Sequence, residues 1–141
     1  METITVRNAA TGDGDTILAL ATDFATSFAV EAEAFHVAFA SLVAADDACL
    51  AVAEAAGEVI GYVLGFDHFT FYANGRVARV EEIAVRVDWR RQGVGNLLMQ
   101  HIEEWATNRG CKLVALATRR AAAFYEAIGY EASATYYRKL L

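Results

Sequence analysis

The sequence predicts an α/β fold in which about four helices flank a mixed, mostly antiparallel sheet. One observation is the order of the predicted elements: a strand, two helices, three strands, a helix, a strand, a helix and a strand. A strand, a helix and a strand in succession imply a parallel pair with a right-handed crossover. The other observation is the pair Ala56-Gly57 between two runs of β-branched and apolar residues, which predicts an antiparallel hairpin. We therefore expect both kinds of strand pairing in one sheet.

Five elements are predicted in the first half of the chain. Weak alternation of polar and apolar residues indicates a strand at residues 3–7, and turn and capping residues then precede an apolar helical run at residues 15–30. A second helix is expected at residues 33–45. The two arms of the hairpin are residues 49–54 and 59–67, which are rich in β-branched and apolar side chains.

The second half of the chain alternates strands with helices. Gly110 and Gly129 each follow an amphipathic run and favour the end of a helix there. The predicted elements are a strand at 76–85, a helix at 95–108, a strand at 113–117, a helix at 119–128 and a strand at 130–140.

Composition predicts one globular domain that spans residues 1–141. Of the 141 residues, 56% are hydrophobic and 21% are charged, which is enough to form a core. The chain contains no proline, and no repeat or low-complexity tract marks a domain boundary.

The charge of the chain limits the kinds of molecule that we expect it to bind. The formal net charge of −6 and the pI near 5.0 argue against nucleic acid and anionic membranes, and they suit a cationic acceptor. The first residues lack the basic start and apolar run of a signal peptide, and no segment reaches about 18 uninterrupted apolar residues. Cys49 and Cys111 form no Cys-x-x-Cys pair, so neither a disulfide framework nor a metal site is expected. We expect a cytoplasmic protein.

A glycine turn follows the strand that ends at Val85. Helix starts leave backbone N–H groups unpaired, and Gly93 and Gly95 would let a ligand approach those groups with no Cβ in the way. The helix dipole favours negative charge at this end, and Arg90 and Arg91 can add charge-assisted contacts. A phosphate or pyrophosphate is therefore the expected ligand of this turn.

Other interpretations of the turn fit less well. A dinucleotide-binding turn would need a third glycine where this chain has Leu98, and the string Gly-Lys-Ser/Thr of a Walker loop is absent. A plain glycine-containing loop with two solvated arginines remains the alternative.

Two motifs resemble those of the GCN5-related N-acetyltransferases, the GNAT superfamily. Arg90-Arg91-Gln92-Gly93-Val94-Gly95 is similar to motif A of that family, Gln/Arg-x-x-Gly-x-Gly/Ala. Ala121-Ala122-Ala123-Phe124-Tyr125-Glu126-Ala127-Ile128-Gly129-Tyr130 is similar to its segment A-x-x-F-Y-x-x-x-G-F/Y. The resemblance covers roughly residues 3–141 and is strong from about residue 76 onward. It implies a GNAT-like sheet whose central parallel strand pair splays apart.

The resemblance implies acetyl-coenzyme A as the acetyl donor. The three histidines, His36, His68 and His101, are scattered along the sequence, so no metal is expected. The pyrophosphate would bind backbone amides of the glycine turn, and the pantetheine arm would pair with the strand before it. Thr118 stands where many relatives carry an asparagine, and its hydroxyl can supply a similar polar contact. The implied donor-binding residues are Ile83, Ala84, Val85, Arg90, Arg91, Gln92, Gly93, Val94, Gly95, Asn96 and Thr118.

Two residues are the catalytic candidates. Strand alternation predicts that Glu81 and Glu82 face opposite sides, so that one of them reaches the acceptor. Glu81 is favoured as the general base because some polyamine-acetylating relatives carry a carboxylate four residues before the final valine of this strand. Tyr125 matches the family tyrosine that protonates the thiolate. The alternatives are a carboxylate paired with a neighbouring arginine and an ordinary core aromatic.

The sequence does not decide which residues form the acceptor pocket. Its candidates are the aromatic turn at residues 67–75 and five side chains of the early helices. Those side chains are Asp23, Phe24, Phe28, Glu31 and Glu33.

The function expected from these observations is transfer of acetyl to a primary amine of a small, cationic molecule by direct attack. The alternatives are a non-catalytic module that senses coenzyme A or acyl-coenzyme A, and a protein N-acetyltransferase. Acetylation of charged transfer RNA would need a basic groove, which the acidity of the chain disfavours. Analogy with the family suggests a homodimer.

Overall fold

The computed structural model describes residues 2–25 and 27–141 of the chain, and within them it contains five strands and four helices. In chain order they are β1 Ile4–Asn8, α1 Gly14–Phe24, α2 Ala32–Ala44, β2 Ala48–Ala55, β3 Glu58–Thr70, β4 Gly75–Val85, α3 Val94–Asn108, β5 Val114–Leu116 and α4 Ala122–Ala127. Short 3-10 turns at Thr11–Asp13 and Val87–Trp89 lead towards α1 and α3.

The strands form one sheet in the order β1-β2-β3-β4-β5. The first three pairings are antiparallel, and β4 pairs with β5 in parallel through α3, as the order of elements predicts. The β2–β3 hairpin turns at Ala56 and Gly57, which both have positive φ angles of 51° and 78°. The mixed α/β sheet expected from the sequence is therefore confirmed.

A β-bulge interrupts the pairing of β3 with β4. Leu64 pairs with Glu82 and the next residue, Gly65, pairs with Val80, so that Glu81 is an extra residue without a partner on β3. The bulge reverses the alternation of β4: Val80 lies in the same core as Ile83, which is three positions away.

Each face of the sheet carries its own core. On one face α3 packs through Leu98, Met99 and Ile102, all of which are at most 1% exposed. On the other face α1 and α2 cover a second core that includes Tyr62 and Val52 of the sheet. The two layers of helices leave β4 in the middle of the molecule, where its residues reach both sides.

The helix α3 lies close to the sheet because β3 carries two glycines. A Cβ at Gly65 would lie 2.6 Å from Ile102 Cδ1, and one at Gly61 would lie 2.9 Å from the Ala84 carbonyl. A larger residue at Gly61 would press on the backbone of β4, whereas one at Gly65 would first require the end of the Ile102 side chain to shift.

The first predicted helix was too long. The expectation was residues 15–30, but α1 ends at Phe24 and Ala25 is extended, with φ −66° and ψ 132°. The apolar residues that continue the pattern, Phe28 and Val30, line a cavity instead of a helix face. Thr26, inside the predicted range, and Met1 lie outside the described residues.

The last predicted strand, at residues 130–140, is absent from the described sheet, and this prediction was wrong. A strand needs a partner edge, and β5 has only three residues in the ladder. The segment is instead attached by side chains: Arg138 Nη1 donates to Ser27 Oγ at 2.8 Å, and the Arg79 guanidinium lies 5.1 Å from the ring centre of Tyr136.

Among residues 2–25 and 27–141, no helix combines the length and the apolar character that crossing a membrane requires.

Candidate active site

The glycine turn begins α3, as predicted. Gly93, with φ +85°, precedes the helix, and the first hydrogen bond along it joins the Leu97 amide to the Gly93 carbonyl at 3.1 Å. The amides of Val94, Gly95 and Asn96 come before that bond and have no acceptor within the helix. With the helix dipole, they make this end of α3 suitable for an anion.

The two glycines of the turn serve different purposes. Nothing lies within 4 Å of the position that a Cβ of Gly93 would take, so this glycine supplies the left-handed backbone and an open approach. A Cβ on Gly95 would lie 3.3 Å from the ring of Phe124. Gly95 therefore allows the α4 segment to pack against the start of α3, in addition to the ligand approach that was predicted for it.

The polar side chains of the turn support its backbone. Arg90 Nε donates to the Val85 carbonyl at 3.1 Å, and Gln92 Nε2 donates to the Asp88 carbonyl at 3.1 Å. Arg91 holds a positive φ of 63°, which is uncommon for a residue with a side chain. The turn is thus fixed by local contacts before any ligand binds.

Strand β4 has an open edge next to the turn. Its pairing with β5 ends where Val80 meets Leu116, while β3 continues along the other edge as far as Val85. Backbone groups of residues 81–85 that point towards β5 therefore have no strand partner. The end of the pairing agrees with the splay that the resemblance implied, and Ile83, Ala84 and Val85 lie beyond it. The described sheet ends at β5, so the parallel pair lies at its edge and not in its centre.

A cavity of about 760 Å³ lies on the α1 and α2 face of the sheet, and both Glu81 and Glu82 line it. The prediction that these glutamates face opposite sides was wrong. It assumed regular alternation, whereas the bulge at Glu81 turns two consecutive side chains towards the same side.

The two glutamates differ in how they are held. Glu82 Oε1 accepts a hydrogen bond from the buried Tyr62 hydroxyl at 2.7 Å. Burial, with the negative charge of Glu82 next, raises the pKa of Tyr62, so this phenol remains a donor. Glu81 Oε2 lies 3.4 Å from Arg79 Nε, and its side chain is 48% exposed. Glu81 is the more accessible carboxylate of the pair.

Tyr125 lies in the core beneath α3 and is 7% exposed. Its ring packs edge-on against Phe124 and Tyr130, with centroids 5.0 Å and 5.9 Å away. Burial raises the pKa of Tyr125, so the phenol carries its proton at neutral pH. It is absent from the cavity lining, so the geometry does not bring it together with Glu81 and Glu82 in that cavity.

Thr118 fixes the start of the helix that carries Tyr125. Its hydroxyl oxygen accepts a hydrogen bond from the Ala121 amide at 3.0 Å. An asparagine side chain at this position can make the same contact. The departure from the family pattern therefore preserves the support of the helix start.

Three of the five candidates from the early helices line the cavity: Phe24, Phe28 and Glu31. Asp23 and Glu33 are not among its lining residues.

The aromatic turn at residues 67–75 does not contribute to the cavity either. The first residue of the turn, Asp67, is buried, and its carboxylate accepts hydrogen bonds from Arg109 Nε and Nη2 at 2.6 Å and 3.0 Å. At the tip of the turn, Phe71 is fully exposed. This segment is a hairpin end.

Sequence reasoning missed most of the cavity wall, including four of its larger polar side chains: Tyr62, Arg119, Tyr136 and Arg138. Tyr62 carried a usable signal, because a tyrosine in a buried strand requires a hydrogen-bond partner and a glutamate is a natural one. The other three carried none, since their position depends on the path of the chain after β5.

The described part of the chain contains no group of three or more His, Cys, Asp and Glu side chains that could hold a metal ion.

Comparison with known families agrees with this geometry. The sequence profile described as the Acetyltransferase (GNAT) family matches residues 16–130. The chain belongs to the GNAT family. The resemblance inferred from the two motifs is therefore confirmed, and the matched region includes the glycine turn, both glutamates and Tyr125 of this GNAT protein.

A curated relative is the thialysine N-epsilon-acetyltransferase of Bos taurus, which is 32% identical over 75 residues. The match covers 50% of the present chain and 44% of that relative, so it spans less than half of the relative's length.

Solved structures show the same fold. A transcriptional regulator from Bacillus halodurans C-125 superposes with a TM-score of 0.87 at 24% identity, covering 99% of this chain and all of the other. A glucosamine-6-phosphate N-acetyltransferase from Arabidopsis thaliana gives 0.86 at 21% identity, with 99% of both chains covered. An aminoglycoside N-acetyltransferase in complex with CoA gives 0.85 at 22% identity, covering 99% and 96%.

GNAT acetyltransferases use acetyl-CoA, and the residues of this chain fit it. The start of α3 offers free amides and an open glycine to a pyrophosphate, and the unpaired edge of β4 offers backbone groups to the amide-containing pantetheine arm.

Proposed function

We propose that this GNAT protein is an acetyl-CoA-dependent N-acetyltransferase that acetylates a primary amine of a small, cationic molecule by direct attack. The observation that carries the proposal is the position of two carboxylates, Glu81 and Glu82, in a cavity that adjoins the unpaired edge of β4. The relatives named above include N-acetyltransferases, which supports transfer to nitrogen.

The donor would be held by main-chain groups. Amides of residues 91–96 would bind the pyrophosphate, with Arg90 and Gln92 keeping the turn in shape. Backbone groups of Ile83, Ala84 and Val85 would pair with the pantetheine arm, and Thr118 would keep α4 in place next to it. Bound in this way, acetyl-CoA supplies the thioester whose acetyl group is transferred.

Acid–base chemistry would be divided between two residues. Glu81 accepts the proton of the acceptor ammonium, directly or through one water, because it is exposed and only weakly paired. The acceptor nitrogen then bonds to the acetyl carbonyl carbon while the carbon–sulfur bond breaks. Tyr125 gives its proton to the departing thiolate, and its raised pKa ensures that the proton is present. The nitrogen releases its second proton to water, and water restores the proton that Tyr125 gives up.

The test is release of free thiol from acetyl-CoA in the presence of a panel of amines, for the wild type and for Glu81→Gln and Tyr125→Phe. Matched controls are Glu104→Gln and Tyr137→Phe, which make the same changes at exposed positions outside the cavity. We expect the wild type to turn over at least one amine. The two site variants should lose this turnover, and the two control variants should keep it.

Calorimetric titration with CoA separates the alternatives. Tight CoA binding without thiol release for any amine would favour the coenzyme A sensor. Absence of binding would overturn the assignment of the glycine turn.

A further inference from the structure

The wall of the cavity that carries Glu81 and Glu82 is largely apolar. Four phenylalanines reach it from α1, from α2 and from the segment between them, namely Phe24, Phe28, Phe35 and Phe39. Leucines of α2, β2 and β3 continue the same surface. At about 760 Å³ the cavity has the volume of a site for a drug-sized molecule, for which about 300–1,000 Å³ is usual.

Part of this apolar surface is open to solvent. Phe28 is 71% exposed and Phe24 is 43% exposed, although both border the cavity. Covering such aromatic surface with an apolar group releases water and is favourable in proportion to the area covered. Phe28 is therefore placed to contact the body of an acceptor.

The charges of the cavity are nearly balanced. Three carboxylates line it, from Glu31, Glu81 and Glu82, together with two guanidiniums, from Arg119 and Arg138. Among the lining residues one negative charge is thus in excess, and Arg79, which lies outside the lining and 3.4 Å from Glu81, offsets part of it. This suits one ammonium group, whereas each further ammonium would be desolvated next to phenylalanines and repelled by the arginines.

From this division of charge and apolar surface we infer that the acceptor is a monoamine with an apolar, aromatic-sized body, and not a polyamine or an aminoglycoside. The inference rests on the proposed function for the reaction, and it adds the chemical class of the acceptor. The ammonium lies at the carboxylates of the bulge, and the body lies against the phenylalanines of the opposite wall.

The experiment compares three amines in the thiol-release assay: phenylethylamine, ethylamine and spermidine. Phenylethylamine and ethylamine share the ammonium and differ by one phenyl ring, so their ratio isolates the apolar body. We expect a kcat/KM for phenylethylamine at least about ten-fold above that of either other amine, from the apolar area that the ring covers.

The variant Phe28→Ser tests where the ring binds. It should raise the KM for phenylethylamine by a factor about five- to ten-fold larger than that for ethylamine, because the larger amine loses more apolar contact. Phe71→Ser is the matched control, since Phe71 is fully exposed at the hairpin tip and outside the cavity. Equal or faster turnover of spermidine, or an unchanged phenylethylamine KM in Phe28→Ser, would overturn the inference.

A binding measurement keeps this result separate from that of the proposed function. If no amine releases thiol, the proposed reaction fails, and calorimetric titration of the CoA-saturated protein with the same three amines still tests the acceptor class. Tighter binding of phenylethylamine than of spermidine, weakened in Phe28→Ser, supports it. Equal or tighter binding of spermidine contradicts it.

Discussion

Two acidic regions lie on neighbouring strands of the same sheet, and they are built in opposite ways. Asp67, near the end of β3, has a fully buried side chain and accepts from Arg109 at 2.6 Å and 3.0 Å, with Arg76 at 3.3 Å. Glu81, in β4, has one contact at 3.4 Å and is half exposed. The comparison indicates that a carboxylate with all its acceptor positions filled maintains the fold, whereas one with free positions and solvent access can take a proton from a substrate.

The pKa of Asp67 reflects this difference. Burial alone would raise it, but the hydrogen bonds and positive charges of Arg109 and Arg76 outweigh burial and hold the pKa below its ordinary value. Asp67 is therefore ionised at any pH at which a GNAT reaction would be studied. The charge of Asp67 therefore stabilises the fold and takes no part in proton transfer.

The largest effect is expected from Asp67→Asn. The neutral amide leaves Arg109 and Arg76 without a counter-ion, which should lower the free energy of unfolding by about 3 kcal/mol. Urea unfolding followed by circular dichroism measures it. Asp88→Asn is the matched control, because Asp88 pairs with Arg86 at the surface and its loss should leave stability unchanged. If Asp67→Asn also abolished turnover in fully folded protein, the division between the two regions would be wrong.

Glu81→Gln should show the opposite pattern. We expect kcat to fall by about 100-fold through loss of the general base, with the free energy of unfolding unchanged to within about 0.5 kcal/mol. Steady-state kinetics and urea unfolding on one preparation give both values. A loss of stability as large as that of Asp67→Asn, with kcat retained, would assign Glu81 to the fold instead.

Tyr62→Phe tests Glu82, which is held less firmly than Asp67 and more firmly than Glu81. The change removes the hydrogen bond at 2.7 Å and should cost about 1 kcal/mol of stability, and kcat should fall less than in Glu81→Gln. The comparison with Glu82→Gln in the same assays shows whether Tyr62 acts through Glu82. If Tyr62→Phe reduced kcat more than Glu81→Gln did, Glu82 would be the better candidate for the base.

The smallest effect on stability is expected from lowering the pH. Because the pKa of Asp67 is lower in the folded chain than its ordinary value of 3.8, its contribution to stability is complete above about pH 4 and is lost as the pH falls below that value. Urea midpoints measured from pH 6 to pH 3 should decline more steeply for the wild type than for Asp67→Asn. Parallel curves would show that the Asp67 pairs contribute little.

The glycine turn and most of the strands could be predicted because their signals are local. Gly93 marks the start of α3 whatever surrounds it, and the Ala56-Gly57 turn fixes the β2–β3 hairpin. The motif at residues 121–130 likewise resembles the family in the sequence alone, together with the motif at residues 90–95.

What could not be predicted depends on partners distant in sequence. The bulge at Glu81 arises from the pairing of β3 with β4, so alternation along β4 alone gave the wrong side for one glutamate. The strand expected at residues 130–140 needed a long edge on β5, which the sequence does not reveal. The apolar run after Phe24 continued the helical pattern, although its phenylalanine serves the cavity.

The bulge makes Glu81 an insertion in the geometric sense. If that single position were deleted, the pairs Leu64 with Glu82 and Gly65 with Val80 would become consecutive rungs of an ordinary ladder. Val80 and Ile83 would keep their places in one core and Ala84 its place in the other. The shortened chain would thus keep the places of these core residues and lose one carboxylate, which makes Glu81 a removable part of β4.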